Sequence, residues 1–292
     1  MLQPSIMLTT AIAMLAFAGN SVLCRLALSP DSAALVDPTS FSVIRLLSGA
    51  ISLALIVLWR GHRLSLSAGS WYGAATLLIY LVAFSFAYVQ LDTGVGALIL
   101  FGVVQLVMLL AALRAGQRLK TQEIVGLLLA LAGLLLLLLP GAARPNLIGV
   151  LLMCLSGVGW GLYSLAARNT TTALLTTCGN FIKATPFLIL LLAVPLLLPG
   201  QSIQINMAGA CLALISGSIT SALGYAIWYR ALTGLEATQA GAVQLSVPVL
   251  AAIGGVLFVS EDLSTRLVIS SALVIGGIYY VLQARRDKPR PT

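Results

Sequence analysis

The sequence predicts an all-α membrane protein: ten transmembrane helices arranged as two inverted five-helix repeats. Three features carry this. The composition suits no water-facing surface, ten apolar runs have spanning length, and the chain resembles itself at a shift of 144 residues.

Of the 292 residues, 60% are apolar and only 8% are charged, against about 25% charged in an ordinary soluble domain. Such a chain needs lipid as its solvent. The net charge of +8 is not a nucleic-acid footprint, because the basic residues form no stripe with interleaved aromatics. They sit in short gaps between apolar runs. Cys24, Cys154, Cys178 and Cys211 lie inside those runs without a CxxC spacing. They read as small buried core residues rather than a disulfide framework or a metal site. The apolar N-terminus lacks a basic region ahead of its apolar core, so it reads as a first span that stays in place. No GxxxxGK[ST] phosphate loop occurs, which argues against ATP hydrolysis by this chain. No cofactor and no metal are expected.

A membrane-spanning helix needs about 20 apolar residues. Runs at 6–28, 39–59, 71–89, 93–113, 122–140, 147–167, 172–198, 207–229, 237–258 and 266–282 meet this need. They are continuous rather than alternating, which argues against an outer-membrane barrel. Their connections leave no room for a soluble domain. Consecutive gaps must lie on opposite sides of the bilayer. On the N-terminal side lie eleven cations: Arg60, Arg63, Arg114, Arg118, Lys120, Arg168, Arg230, Arg285, Arg286, Lys288 and Arg290. The other side has three, Arg25, Arg144 and Arg266. Positive charge is retained in the cytoplasm, so the expectation is an inner-membrane protein with both termini cytoplasmic.

A shift of 144 residues lays 87–138 on 231–282 without a gap. Ala87 falls on Ala231, Leu106 on Leu250, Thr121 on Thr265 and Gly133 on Gly277, with Asp92 on Glu236 and Gln117 on Glu261. The shared layout is a short turn, a span, a polar Leu-x-Thr turn and a further span. Spans one and two pair approximately with six and seven, which sets Arg45 opposite Lys183. The halves are then 1–143 and 144–292. Five spans per half is an odd number, so the second half enters from the opposite face. Inverted repeats are a common transporter plan, with the substrate near the midplane between the halves.

In the second half, "AIWYRALTGLEATQAGAVQLSVPVLAAIGGVLFVSEDLS" carries Ala231, Leu232, Pro248, Glu261, Leu263 and Ser264. Their order and spacing resemble the ten-span EamA-type exporters of the drug/metabolite transporter superfamily. The first half departs from that pattern, with Val104 where the proline is expected and Gln117 at the acidic turn position. Its "RAGQRLK" turn, the Arg25 segment and Trp160 look more like the aromatic amino-acid exporter branch. Phe17 and Phe101 stand where that branch carries a tryptophan and a tyrosine. The resemblance implies a cavity lined by spans one, three, four, six, eight and nine, and a small-molecule substrate.

The candidate substrate-binding residues are Phe17, Asn20, Tyr80, Phe84, Phe101, Trp160, Tyr163, Tyr225 and Gln244. Rings stack on an apolar substrate, while phenols and the indole N–H bind its polar atoms. The bland alternative is packing, or a belt at the membrane surface; Trp228, near a span end, is read that way. Amides buried in lipid must be hydrogen-bonded. Asn20 and Gln244 either line the cavity or tie helices together, and Gln105 is read as an interhelical tie. Arg45 and Lys183 are read as snorkelling or capping neighbouring helix ends rather than as site residues, although either could attract a substrate carboxylate. Pro248 is the expected hinge, with Gly102 giving span four its mobility. All eight acidic residues fall in gaps, tails or span ends, and His62 is the lone histidine. A midplane proton relay of the usual kind is therefore not expected.

Together these readings predict an exporter of small, mostly apolar metabolites, amino acids first, working by alternating access, either uncoupled or by exchange rather than proton-coupled, with the oligomeric state open and a monomer among the options. The rivals are a permease for drug-like compounds, sugar phosphates or nucleotides, and a non-transporting scaffold or receptor. A membrane enzyme would need a nucleophile–base pair or metal cluster that the sequence does not offer.

Overall fold

A computed structural model describes residues 4–29, 34–65, 67–116, 120–138, 146–167, 170, 172–197, 203–235, 237–262 and 265–284. Gln117, Arg118, Leu119, Arg144, Arg168, Glu236, Leu263, Ser264 and the basic tail Arg285–Arg290 lie outside them. The described chain is helical throughout, in thirteen α-helices: α1 (Pro4–Leu28), α2 (Pro38–Trp59), α3 (Trp71–Tyr88), α4 (Thr93–Arg114), α5 (Thr121–Leu138), α6 (Leu147–Ala167), α7 (Ala173–Ala184), α8 (Leu188–Leu197), α9 (Met207–Ile215), α10 (Gly224–Leu232), α11 (Ala237–Gln244), α12 (Ser246–Gly254) and α13 (Thr265–Ala284). No β-strand occurs among the described residues; Val36 and Ile205 form an isolated antiparallel bridge.

Eight helical stretches are long and apolar enough to cross a bilayer, while α5 and α13 contribute shorter apolar runs. Capping residues place several starts. Asp37 accepts from Ser40 N–H at 2.9 Å with Pro38 at the first helical position of α2. Ser70 accepts from Gly73 N–H at 2.9 Å to start α3. Each such side chain satisfies an amide that the helix itself cannot. At the other end of α2 and of α4, Gly61 (φ 76°) and Gly116 (φ 74°) take the left-handed conformation that stops a helix.

Three of the long stretches are interrupted. A 3-10 turn at Thr185–Phe187 separates α7 from α8, where Pro186 lacks the N–H that an α-helix needs. Between α11 and α12 the helix breaks at Leu245, because Pro248 cannot donate to the Gln244 carbonyl one turn back. A π-helical segment, Ser216–Leu223, joins α9 to α10, and another, Gly255–Val259, extends α12. The prolines lead one to expect the bends at Pro186 and Pro248, whereas nothing local announces the π-helical segments. In α4 the helix runs unbroken through Gly102.

Small residues let the helices approach. Gly157 and Gly161 of α6 seat against α4 at Val103 and Val107, whereas Gly159 seats against the α3 backbone at Thr76 and Tyr80. Gly126 and Gly277 meet face to face and hold α5 against α13. The rim is apolar: Leu15, Leu55, Ile189, Leu257 and Phe258 are exposed, a surface suited to acyl chains. Cys211 joins that rim and is exposed, contrary to the expectation that all four cysteines are buried; it faces outward from α9.

Candidate functional site

The expected aromatic residues converge. Trp160, Tyr163, Tyr225 and Trp228 are all buried, as are Phe17, Tyr80, Phe84 and Phe101. They form one continuous ring assembly: Phe17 lies 5.0 Å from Trp160, 5.9 Å from Tyr225 and 6.4 Å from Phe101 by ring centroids. Trp160 lies 4.9 Å from Tyr80 and 4.7 Å from Tyr225. Because these rings come from α1, α3, α4, α6 and α10, the assembly sits at the centre of the bundle. Trp228 belongs to it, 5.7 Å from Phe17, with its indole N–H donating to Ser164 Oγ at 3.2 Å. The expected place in a surface belt is thus corrected: Trp228 turns inward because Ser164 offers its N–H a partner there.

Polar groups thread the rings. Trp160 donates to Gln244 Oε1 at 2.7 Å, tying α6 to α11 where the helix breaks, and Gln244 Nε2 donates to the Ala240 carbonyl. The Asn20 amide oxygen accepts from Ser216 (2.9 Å), Thr220 (2.5 Å) and Ser221 (3.2 Å), and its Nδ2 donates to Tyr225 Oη at 3.3 Å. Asn20 therefore holds α1 on the π segment and orients Tyr225. Gln105, also buried, has no hydrogen-bond partner at either amide atom, and it packs beside Gly241 of α11. The expected interhelical tie is absent. The Tyr163 hydroxyl is likewise buried without a partner.

The larger correction concerns Arg45. Rather than snorkelling or capping a helix end, it is fully buried among the rings. Its Nε donates to Ser221 Oγ at 2.9 Å, and its Nη2 donates to Tyr225 Oη at 2.8 Å and Tyr80 Oη at 3.1 Å. Tyr225 in turn donates to Tyr80 Oη at 3.0 Å. The guanidinium lies over the Phe84 ring at 4.9 Å and the Tyr80 ring at 5.5 Å. Nη1 has no hydrogen-bond partner. Ion pairs form elsewhere, from Arg25 to Asp92 (3.1 Å) and Glu261 (3.8 Å). Two ring contacts are worth about 2 kcal/mol each when desolvated, while leaving one charge of a buried pair uncompensated costs about 3–5 kcal/mol. Rings and neutral hydroxyls thus offset much of the burial but supply no counter-charge. Span two therefore contributes to the site, beyond the spans expected to line it.

Lys183 behaves as a cap. Its ammonium donates to the Ala68 and Gly69 carbonyls, both at 3.0 Å, and lies 5.9 Å from the Trp71 ring. Beside it, Asn180 Oδ1 accepts from Ser70 N–H at 2.9 Å and its Nδ2 donates to Tyr229 Oη at 3.3 Å. A cleft of 260 Å³ opens here, lined by Ser70, Thr170, Thr176, Asn180 and Tyr229 among others. Since α3 runs from Trp71, just after its cap Ser70, to Tyr88, this cleft and the Arg25 cluster mark opposite ends of the bundle. At the Arg25 end the described residues are tied together. Arg25 donates to Asp92 and the Tyr88 carbonyl, and Glu261 accepts from the Thr93 amide and hydroxyl. Main-chain bonds also join Asp37 to Gln204 and Asn206 to Leu35, at 2.9 and 2.8 Å.

Arg45 and the Ser216, Thr220 and Ser221 hydroxyls join the box although the sequence does not place them there. A signal for the hydroxyls exists: Ser216 to Ser221 is a polar run inside an apolar stretch. Nothing comparable distinguishes Arg45 from Lys183.

Against known families, the model of the EamA-like transporter family matches residues 4–139 and again 147–283. The chain belongs to the EamA-like transporter family. It is accordingly a multi-pass membrane protein of a transporter family. A protein of Pseudomonas aeruginosa that carries the name "uncharacterized protein" is 52% identical over 279 residues, 96% of this chain and 95% of that one. An "uncharacterized transporter" of Archaeoglobus fulgidus is 28% identical over 212 residues, 71% of this transporter and 74% of that one. A solved crystal structure has the same fold, with a TM-score of 0.72 at 22% identity, covering 94% of this chain and 99% of its own.

Proposed function

We propose that this EamA-like protein exports small apolar metabolites across the inner membrane, amino acids first and aromatic ones foremost. It does so by alternating access of two inverted five-helix repeats, 1–143 and 144–292, with both termini in the cytoplasm and without a proton relay. The observation that carries this reading is the buried box of rings and polar groups at the centre of the bundle, where Trp160 of one proposed half bonds Gln244 and faces Phe17 and Tyr80 of the other.

Several features support it. The family model fits the chain twice, on either side of residue 143. Numbering the ten apolar stretches in order, the packing of three on six matches that of eight on one, and four on six matches nine on one. Four on nine and five on ten map onto themselves. A molecule whose packing survives exchange of its halves can open towards either side at similar cost. Pro248 lies beside the break at Leu245, where a hinge can bend. The described acidic groups are Asp37, Asp92, Glu123, Glu261 and Asp262. All sit in connections or, for Glu123, in the first turn of α5, away from the ring box. Sugar phosphates and nucleotides suit the site less well, because Lys183 is committed to main-chain carbonyls and Arg45 alone supplies charge.

The purified protein in liposomes tests this. Labelled phenylalanine, tyrosine, tryptophan and leucine should cross faster than in empty liposomes, and the rate should be the same after the proton gradient is collapsed. Strict dependence on that gradient would overturn the uncoupled mechanism, and no flux for any amino acid would overturn the substrate reading.

A further inference from the structure

We infer that Arg45 anchors a carboxylate, and that the class carried is an organic acid with an aromatic or apolar body, whose amino group is dispensable. The inference rests on the ring box being the substrate site, and it names the end of the substrate that the box reads.

The guanidinium has three nitrogens, and two are spoken for by Ser221, Tyr225 and Tyr80. The third, Nη1, is buried with no partner. Tyr80 accepts in both of its hydroxyl bonds, from Arg45 and from Tyr225, so its own phenolic proton is still to be given. A cationic N–H and a phenol O–H on one guanidinium–phenol pair suit a carboxylate. That group is planar, carries one negative charge on two oxygens, and forms short charge-assisted bonds with such donors. Its single charge would balance the single uncompensated cation of the box. Around that pair stand Phe84, Trp160 and Phe17, which offer a hydrocarbon or aryl body apolar contact and no hydrogen-bond acceptor of their own beyond the occupied Trp160–Gln244 pair.

An ammonium finds the reverse. Arg45 repels it, and no described carboxylate lies among the rings to receive it. Asp92 and Glu261 are engaged at the Arg25 end, Asp37 caps α2, and Glu123 accepts from Lys120 at the start of α5. The Asn20 oxygen is already shared by three hydroxyls, which leaves an ammonium only the neutral Tyr163 hydroxyl and Gln105 amide oxygen, neither of which offsets its charge. The site thus reads the acid and is indifferent to the amine.

Three probes with one skeleton separate the groups: phenylalanine, 3-phenylpropanoate, which lacks the amino group, and phenethylamine, which lacks the carboxylate. Binding to the full-length protein is followed by quenching of tryptophan fluorescence, and flux in liposomes. Phenylalanine and 3-phenylpropanoate should agree within about threefold, and phenethylamine should be weaker by about tenfold or more. R45Q should cost both acids about tenfold or more while phenethylamine, freed of the repelling charge, binds no worse than before, with R45K intermediate for the acids. Y80F, which keeps the ring, should cost the acids about threefold. Equal handling of the amine and the acids, a strict need for the amino group, or acid flux that survives R45Q in a protein of unchanged melting temperature would each overturn the inference while leaving transport standing. Silence from all three probes would instead overturn the aromatic-substrate reading beneath it. The wild-type comparison decides even if R45Q does not fold.

Discussion

Arg45 and Lys183 are opposite numbers in the sequence, each a lone cation deep in an apolar run of its own half. Their surroundings in the folded protein differ. Lys183 sits against the start of α3 and donates to two main-chain carbonyls at 3.0 Å. Those carbonyls carry partial negative charge and belong to a connection with no other use for them, so its burial is offset locally. Arg45 donates its hydrogen bonds to neutral hydroxyls and lies over ring faces, and one of its nitrogens has no hydrogen-bond partner. A third cation, Arg25, is paired with Asp92 and faces Glu261. The difference separates roles. Carboxylates hold one end of the bundle together through Arg25, main-chain carbonyls hold a connection through Lys183, and Arg45 keeps a charge in reserve at the centre.

The contrast can be tested directly. The largest effect should come from R45A, which should lower amino-acid flux by about a hundredfold, because it removes the one charge at the centre of the site. K183Q, assayed in the same liposomes, should lower flux by less than about tenfold. Its main consequence should be a looser connection before α3, seen as faster maleimide labelling of a cysteine placed at the exposed Ser67. Equal flux losses would erase the distinction between the two cations. Next in size is Q244L, which deprives the buried Trp160 N–H of its acceptor. It should cost about 1–3 kcal/mol, read as a lower melting temperature in detergent together with flux reduced by about fivefold to tenfold. E261Q should be milder, since Thr93 keeps an amide oxygen as acceptor while Arg25 loses a facing charge. Faster labelling of a cysteine introduced at Gln204 would report loosening of that end, and unchanged labelling would mean that the Arg25–Asp92 pair and the main-chain bonds hold it without the charge of Glu261. The smallest effect, with the opposite sign, is expected for Q105L. Both amide atoms of Gln105 are buried without partners, so removing them should raise stability by about 1 kcal/mol, provided the leucine fits beside Gly241. A fall in melting temperature would mean that Gln105 has a partner in the membrane.

Much of the candidate site is legible in the sequence. Phe17, Tyr80, Phe84, Phe101, Trp160, Tyr163, Tyr225 and Gln244 can be selected because large rings and amides deep in apolar runs have few places to go, and the folded chain brings them together. Asn20 is equally visible, but its amide turns out to be fully occupied in holding the π segment. Trp228 is misplaced because position along a span says nothing of which way the helix faces, and Ser164 across the interface decides that. Arg45 is misread for the same reason. A cation in an apolar run has the same letter whether its head reaches water, carbonyls or phenols.

Composition and the periodic alternation of apolar runs and short polar gaps determine by themselves that this chain is helical and lives in lipid, since a backbone in hydrocarbon must satisfy its own hydrogen bonds. Prolines mark two of the breaks, at Pro186 and Pro248, through local chemistry that needs no tertiary contact. Only the tertiary structure decides the rest. The π segment at Ser216–Leu223 is packed against Arg45 and Asn20 from two other helices. The central charge has no carboxylate near it because every described carboxylate is drawn to an amide, a cation or water elsewhere. Which cation is spent and which is spared depends on where neighbouring carbonyls fall, and that is set by contacts between residues more than a hundred positions apart.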